Sequence, residues 1–313
     1  MARHPDSIPG PPPTVFEARP ASSRRHILAE GPVWVADTAT ILWIDVEAGS
    51  VFEGRIVGTR VEETSRLDFD GPVGVAVPGV DGSILVATSD RLVVVAPDGE
   101  RTNGPVIVPE GVLSRTNDGA CDPAGRLLVG TLALDDRTGG ESLYRVEDDG
   151  SLATIDSDLT LSNGLGWSPD GSLLYSTDSA PGIIWVRDYD AGTGATGQRR
   201  EHLRIEDGDP DGLCVDSRGN LWVAIWGAGE VRSFAPGGEL VAVVTVPTPH
   251  PSSVAFVRDG LDTLLITTAS RDLSEIELAR YPDAGRLFLA SVGATGTPTF
   301  AWSGSWRDSI VGR

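Results

Sequence analysis

The chain has 313 residues, 40% of them hydrophobic, and a formal net charge of −20. That acidity argues against nucleic acid or an anionic membrane surface as a partner, and no apolar run approaches the ~20 residues of a spanning helix. All 25 basic residues are Arg, so chemistry through a Lys Schiff base is excluded.

In chain order, residues 1–13 hold five Pro and no apolar leader core. They read as a disordered Pro-rich tail rather than a signal peptide. Residues 14–19 form a short predicted strand. Then one phrase, a turn followed by a buried strand, recurs six times: Ile41-Leu42-Trp43-Ile44, Ile84-Leu85-Val86-Ala87, Leu127-Leu128-Val129-Gly130, Leu173-Leu174-Tyr175-Ser176, Leu221-Trp222-Val223-Ala224 and Leu264-Leu265-Ile266-Thr267. The starts lie 43, 43, 46, 48 and 43 residues apart. A strand repeat of ~40–50 residues predicts a β-propeller, here all-β, with six four-stranded antiparallel blades around a central channel. The fifth copy predicts strands over 211–216, 221–226, 230–235 and 240–246. Turn chemistry falls between strands, as in Pro169-Asp170-Gly171 and Pro97-Asp98-Gly99. Residues 273–281 could form a helical turn. The predicted domain runs over 14–305, with the 14–19 strand closing the ring against C-terminal strands near 286–292 and 299–302. Residues 306–313 are left as a tail without an obvious place.

The two cysteines, Cys121 and Cys214, fall in predicted inner strands with no metal-ligand spacing, and read as buried free thiols. A cytoplasmic protein, monomeric or a weak homo-oligomer, is the expectation. Residues 192–197 satisfy a G-x-G-x-x-G pattern, but no helix follows, so the segment reads as a loop. His26 and His202 read as packing or surface residues. His250 and Trp226 fall on loops facing the predicted site.

About ten residues before each second strand lies the start of an inner strand. Five of the six copies are polar there: Glu30-Gly31, Asn117-Asp118-Gly119, Asn163-Gly164, Asp211-Gly212 and Ser252-Ser253, with Pro72-Val73-Gly74 in the second. A closed ring gathers these positions around one channel mouth. Asn-Gly and Asp-Gly are common turn pairs, but their shared repeat phase points to a site. Converging acids repel, and burial disfavours their charge; a bound cation resolves both. Carboxylate and amide oxygens suit Ca²⁺, Mg²⁺ or Mn²⁺, and also Zn²⁺. Glu30, Asn163 and Asp211 are the candidate ligands. Loops after the second strands, carrying Asp45, Ser89, Asp90, Asp178, Ser179, Trp226 and Arg271, are expected to wall a polar pocket above them.

Ala29-Glu30-Gly31-Pro32-Val33-Trp34, Arg115-Thr116-Asn117-Asp118-Gly119, Leu161-Ser162-Asn163-Gly164-Leu165 and Pro210-Asp211-Gly212-Leu213 together resemble motifs of the regucalcin/gluconolactonase (senescence marker protein, luciferin-regenerating-enzyme-like) family. The resemblance spans about 26–303. It implies a six-bladed propeller with one divalent-metal site held by Glu30, Asn163 and Asp211, Asp211 also being the proposed general base. It implies substrate contacts from Arg115 and Asn117, and from an acid that falls on Asp135. The implied activity is opening of a sugar lactone: a water attacks the carbonyl carbon, Asp211 accepts its proton, and the metal, Ca²⁺ or Zn²⁺ foremost, stabilises the oxyanion. A related metal-dependent esterase or phosphotriesterase, and a non-catalytic calcium-binding propeller, are the other readings.

Overall fold

A computed structural model describes residues 12–304 and Trp306. Most of the expected N-terminal tail, and residues 307–313, lie outside the described residues. The fold is a six-bladed β-propeller of four-stranded antiparallel sheets. Its inner strands are Ala29–Val35, Val73–Pro78, Ser114–Cys121, Ser162–Trp167, Asp209–Val215 and Pro251–Val257. Each contacts the next, and the sixth contacts the first. The recurring phrase is the second strand of every blade. These strands are the most apolar because they are covered on both faces by neighbouring blades; Thr40–Asp45 and Thr263–Thr268 are buried throughout. The one helix among the described residues, Glu275–Arg280, has a capping box from Ser274 and Glu277.

Ring closure differs from the expectation. Only Arg19–Pro20 pairs with the C-terminal strand Phe288–Ala290, as the outer strand of blade six. Thr14–Glu17 instead runs parallel to Leu240–Thr245 and adds a fifth strand to blade five. The N-terminal segment thus clamps two blades, since Ala18 marks a crossing between their outer edges and is itself buried. The 299–302 segment is not a closing strand either. It belongs to a strap that crosses the lower end of the channel. Ser217 N donates to Thr295 O (2.8 Å), Thr299 Oγ1 to Trp34 O (2.7 Å), Trp302 N to Pro78 O (2.8 Å) and Ser303 N to Gly125 O (3.0 Å). The strap ends on Trp306, which is buried against Trp302, ring centroids 5.0 Å apart. Trp306 therefore has a place in the core between blades two and three.

Candidate functional site

Every inner strand carries one extra residue relative to its partner at the same phase. The register shifts fall between Glu30 and Val33, Val73 and Val75, Thr116 and Gly119, Asn163 and Leu165, Pro210 and Leu213, and Pro251 and Ser253. A β-bulge breaks the strict alternation of side chains and re-aims them. The polar residues singled out by repeat phase sit in these bulges. Two of the glycines beside them, Gly164 and Gly212, serve packing between blades, whereas Gly31 takes a left-handed φ of +51° with open space around it. A Cβ on Gly164 would overlap the Asp211 carbonyl, and one on Gly212 would overlap the Ser253 side chain. Asn163-Gly164 and Asp211-Gly212 are thus close-approach pairs that draw the inner strands onto the axis.

Asn163, Asp211 and Arg115 are each 7% exposed; Glu30 and Asp118 are partly accessible at the channel. Asn163 Nδ2 donates to Ser179 Oγ (3.0 Å), which donates to Pro210 O (2.6 Å), so a blade-four loop orients the amide beside Asp211. Arg115 Nη1 donates to Asn117 Oδ1 (3.0 Å) and Thr116 O (2.8 Å), and Asn117 Nδ2 donates to Ser162 O (3.0 Å). Burial, and then the charges of Asp211 and Asp118, hold the Glu30 carboxyl well above its ordinary range. Burial, Asp118 and Asp209 do the same to Asp211, against the lowering pull of Asn163 and the Gly212 amide. Arg115 falls to about 10, through burial and then the Arg271 cation.

Asp118 is the member that repeat phase passed over. Its Oδ1 accepts from Gly119 N (2.7 Å), and burial raises it to about 6. Counting one residue per blade finds Asn117 and stops. The bulge between Thr116 and Gly119 lets successive side chains both face the axis, and the phrase Asn117-Asp118-Gly119 held that signal.

Two expected wall residues turn away from the mouth. Asp45 Oδ2 accepts from Ile27 N (2.9 Å) and its Oδ1 from Leu28 N (3.2 Å), while Asp178 Oδ1 accepts from Leu161 N (2.9 Å). Both are buried braces that tie the start of an inner strand to the end of the second. Asp135 stands apart from the axial cluster. It lies on the loop 134–140 and pairs with Arg137 Nη1 (2.5 Å); among the described residues no hydrogen bond or ion pair joins it to Arg115, Asn117 or the acids. Cys121 is buried and Cys214 half-buried, both thiols free and raised by burial.

The donor set suits a hard cation. Asp211 Oδ1 is buried with no hydrogen-bond partner, which is costly unless another group meets it. Glu30, Asn163 and Asp211 offer oxygen ligands of the kind divalent cations take. Only two of the three are acids, and among the described residues no group of three or more His, Cys, Asp or Glu forms a ready metal cluster. Below this ring, past Asp118, lies an apolar chamber of about 380 Å³, lined by Val33, Val75, Leu213, Val254 and Phe256 and floored by 297–300 of the strap.

These features define a class: a six-bladed propeller with one acidic, axial site at its open mouth. The chain belongs to the SMP-30/Gluconolactonase/LRE-like family, whose model matches residues 28–270. It is 34% identical to the pentonolactonase XacC of Haloferax volcanii over 283 residues, 87% of this chain and 94% of that one. It is 30% identical to regucalcin of Danio rerio over 286 residues, covering 90% and 96%. Among solved structures, a calcium-binding regucalcin from Agrobacterium tumefaciens superposes with a TM-score of 0.86 at 24% identity, covering 92% and 98%. That last likeness concerns the fold. No helix of the described residues is long and apolar enough to cross a membrane.

Proposed function

We propose that the protein is a metal-dependent lactonase that opens a sugar lactone. The reading rests on membership of a family whose relatives include a pentonolactonase and, above all, on the buried, unpartnered Oδ1 of Asp211 among mutually repelling acids. A protein that stabilised only its fold would have no reason to keep that atom bare. Glu30, Asn163 and Asp211 would hold one divalent cation, Ca²⁺ or Zn²⁺ foremost, which when bound supplies Lewis-acid polarisation of the lactone carbonyl.

The remaining chemistry belongs to the chain. Asp211 accepts the proton of the attacking water, aided by the acids whose charge raises its basicity. Asn163, fixed by Ser179, keeps the Asp211 carboxylate oriented. Arg115 and Asn117, already bonded to one another, present a guanidinium and an amide to sugar hydroxyls. Asp135 adds an acidic contact from the 134–140 loop only if it leaves Arg137. Ring opening then yields a hydroxy acid, whose new carboxylate is expelled from an acidic pocket. The test is a pH-indicator screen of aldonolactones with EDTA-treated protein and each metal added back. Acid release above the buffer rate, restored by a divalent cation, is expected; hydrolysis at the buffer rate with every metal would refute the reading.

A further inference from the structure

His250 directly precedes the inner strand of blade six, Pro251–Val257. Its ring lies flat on Trp226, with centroids 4.2 Å apart and planes 6° from parallel. Trp226 ends the second strand of blade five, Leu221–Trp226, yet packs against a core cluster drawn from blades one, two and six, which includes Leu28, Val73 and Ala269. The indole therefore reaches along the upper rim, and the imidazole rides on it. Blade six stands opposite blade three in a six-membered ring, so this aromatic pair faces Arg115 and Asn117 across the mouth.

The geometry also fixes the tautomer. His250 Nδ1 lies 3.1 Å from the carbonyl oxygen of Arg271. A carbonyl only accepts, so Nδ1 carries the proton and Nε2 holds a lone pair. Among the described residues no protein group bonds Nε2, and it is not sealed from solvent. The other two described histidines differ. His26 Nε2 accepts from Trp43 Nε1 (3.0 Å), and His202 Nε2 is sealed without a partner. The charged groups around His250 are Asp272 and Glu277, with the Arg271 guanidinium engaged by Glu47 (3.1 Å) and Asp272 (3.2 Å). Burial outweighs the two acids and lowers the imidazole pKa, so the ring is neutral at pH 7.

A sugar hydroxyl both donates and accepts. The guanidinium of Arg115 only donates. A grip from both sides needs an acceptor on the opposite wall, and a neutral Nε2 on a rigid aromatic plate supplies one. We propose that His250 Nε2 is a specificity-determining acceptor for a hydroxyl of the substrate, with Trp226 holding the imidazole in place. The assignment rests on the lactone reading and deepens it by naming a residue on the wall opposite Arg115 that reads a hydroxyl of the substrate.

The test compares kcat/KM for D-glucono-1,5-lactone and δ-valerolactone, which share a six-membered lactone ring but differ in hydroxyls. Their ratio cancels effects common to both reactions, including titration of the axial acids. His250→Phe keeps the stack and removes the acceptor; the preference for the hydroxylated lactone should shrink roughly tenfold, through KM. His250→Gln should regain part of it through the amide oxygen. In the wild type the preference should also fall at acid pH, below the ordinary imidazole pKa of about 6.5, because burial lowers that of His250 and Nε2 becomes a donor only there, while His250→Phe stays flat. Calorimetric binding of methyl β-D-glucopyranoside, which has no lactone to open, separates the two readings. His250-dependent glucoside binding without any lactone hydrolysis would leave this assignment standing and remove the lactonase. An unchanged preference in a folded His250→Phe, or no glucoside binding by the wild type, overturns the assignment.

Discussion

At the upper end of the channel the inner strands present Glu30, Asp118, Asn163 and Asp211. A few residues further along, the same strands present Val33, Ala120, Leu165 and Leu213 to the apolar chamber. The backbone is nearly equivalent at both ends, and the difference lies in what is left unsatisfied. Below, the strap closes the chamber with hydrogen bonds to backbone groups of blades one, two, three and five, and two tryptophans anchor it. Above, acids crowd one another, and a carboxylate oxygen is buried bare. The lower end spends its side chains on stability; the upper end leaves the strain of the candidate site unrelieved.

That contrast sets opposite outcomes for substitutions at the two ends. Asp211→Asn should lower kcat for sugar lactones by ~10²-fold or more, the scale of losing a proton acceptor. The same change removes a charge that burial and Asp118 oppose, so the melting temperature of the EDTA-treated protein should hold or rise. An Asp211→Asn variant that binds metal and keeps the full rate would end its role as base. Trp306→Ala should do the reverse. A fully buried indole packed on Trp302 leaves a cavity, costing about 3–5 kcal/mol, while KM stays within twofold because the strap lies below the chamber. Paired chemical denaturation and lactone kinetics on both variants would check the contrast. A Trp306→Ala protein as stable as the wild type would show that the strap is not an anchor.

The repeat made the fold legible because each blade must bury its second strand on both faces, and that requirement writes itself into sequence at a fixed period. Phase then located Glu30, Asn117, Asn163 and Asp211, since a closed ring brings equivalent positions to the axis. Three things were not written in that code. Asp118 depends on a bulge, a register event between two strands that no single strand announces. The strap over 294–303 has no periodicity and is held by backbone groups, which every residue carries. The inward turn of Asp45 and Asp178 follows from free N–H groups at Ile27, Leu28 and Leu161, which become partners only once the blade has formed. The terminal strand fared between these: its role in closure was readable, and its division between blades five and six was not.

The electrostatic half of the comparison is sharpened by pH. Glu30 and Asp211 have folded pKa values above those of the unfolded chain, so between the ordinary carboxylate range and their raised values the native state binds more protons. In that window their contribution to stability falls as pH rises. His26, His202 and His250 are lowered by burial and act in the opposite sense near neutrality. The cation-induced gain in melting temperature isolates the acids: it should be several degrees larger at pH 8 than at pH 5, where protons compete for the same oxygens. In Asp211→Asn most of that pH dependence should vanish. An equal gain at both pH values in the wild type would place the cation elsewhere.

The smallest effect belongs to Asp135, where the upper end meets solvent. Its partner Arg137 is over-supplied: Nη1 also donates to Leu113 O (2.9 Å), and Nη2 reaches Ser114 and the buried Glu141 (2.6 Å). The neighbouring Asp136 sits at φ +56°, so the loop holds a left-handed residue against those anchors. Losing one half-exposed ion pair costs ~1 kcal/mol or less, and Asp135→Asn should leave the melting temperature nearly unchanged. If Asp135 swings from Arg137 to substrate, the variant raises KM for sugar lactones about threefold with kcat intact, and Asp135→Glu, with one more methylene of reach, lowers it. Should both variants match the wild type in KM, loop 134–140 is a braced edge, and hydroxyl recognition passes to Arg115 and Asn117 on one wall and His250 on the other.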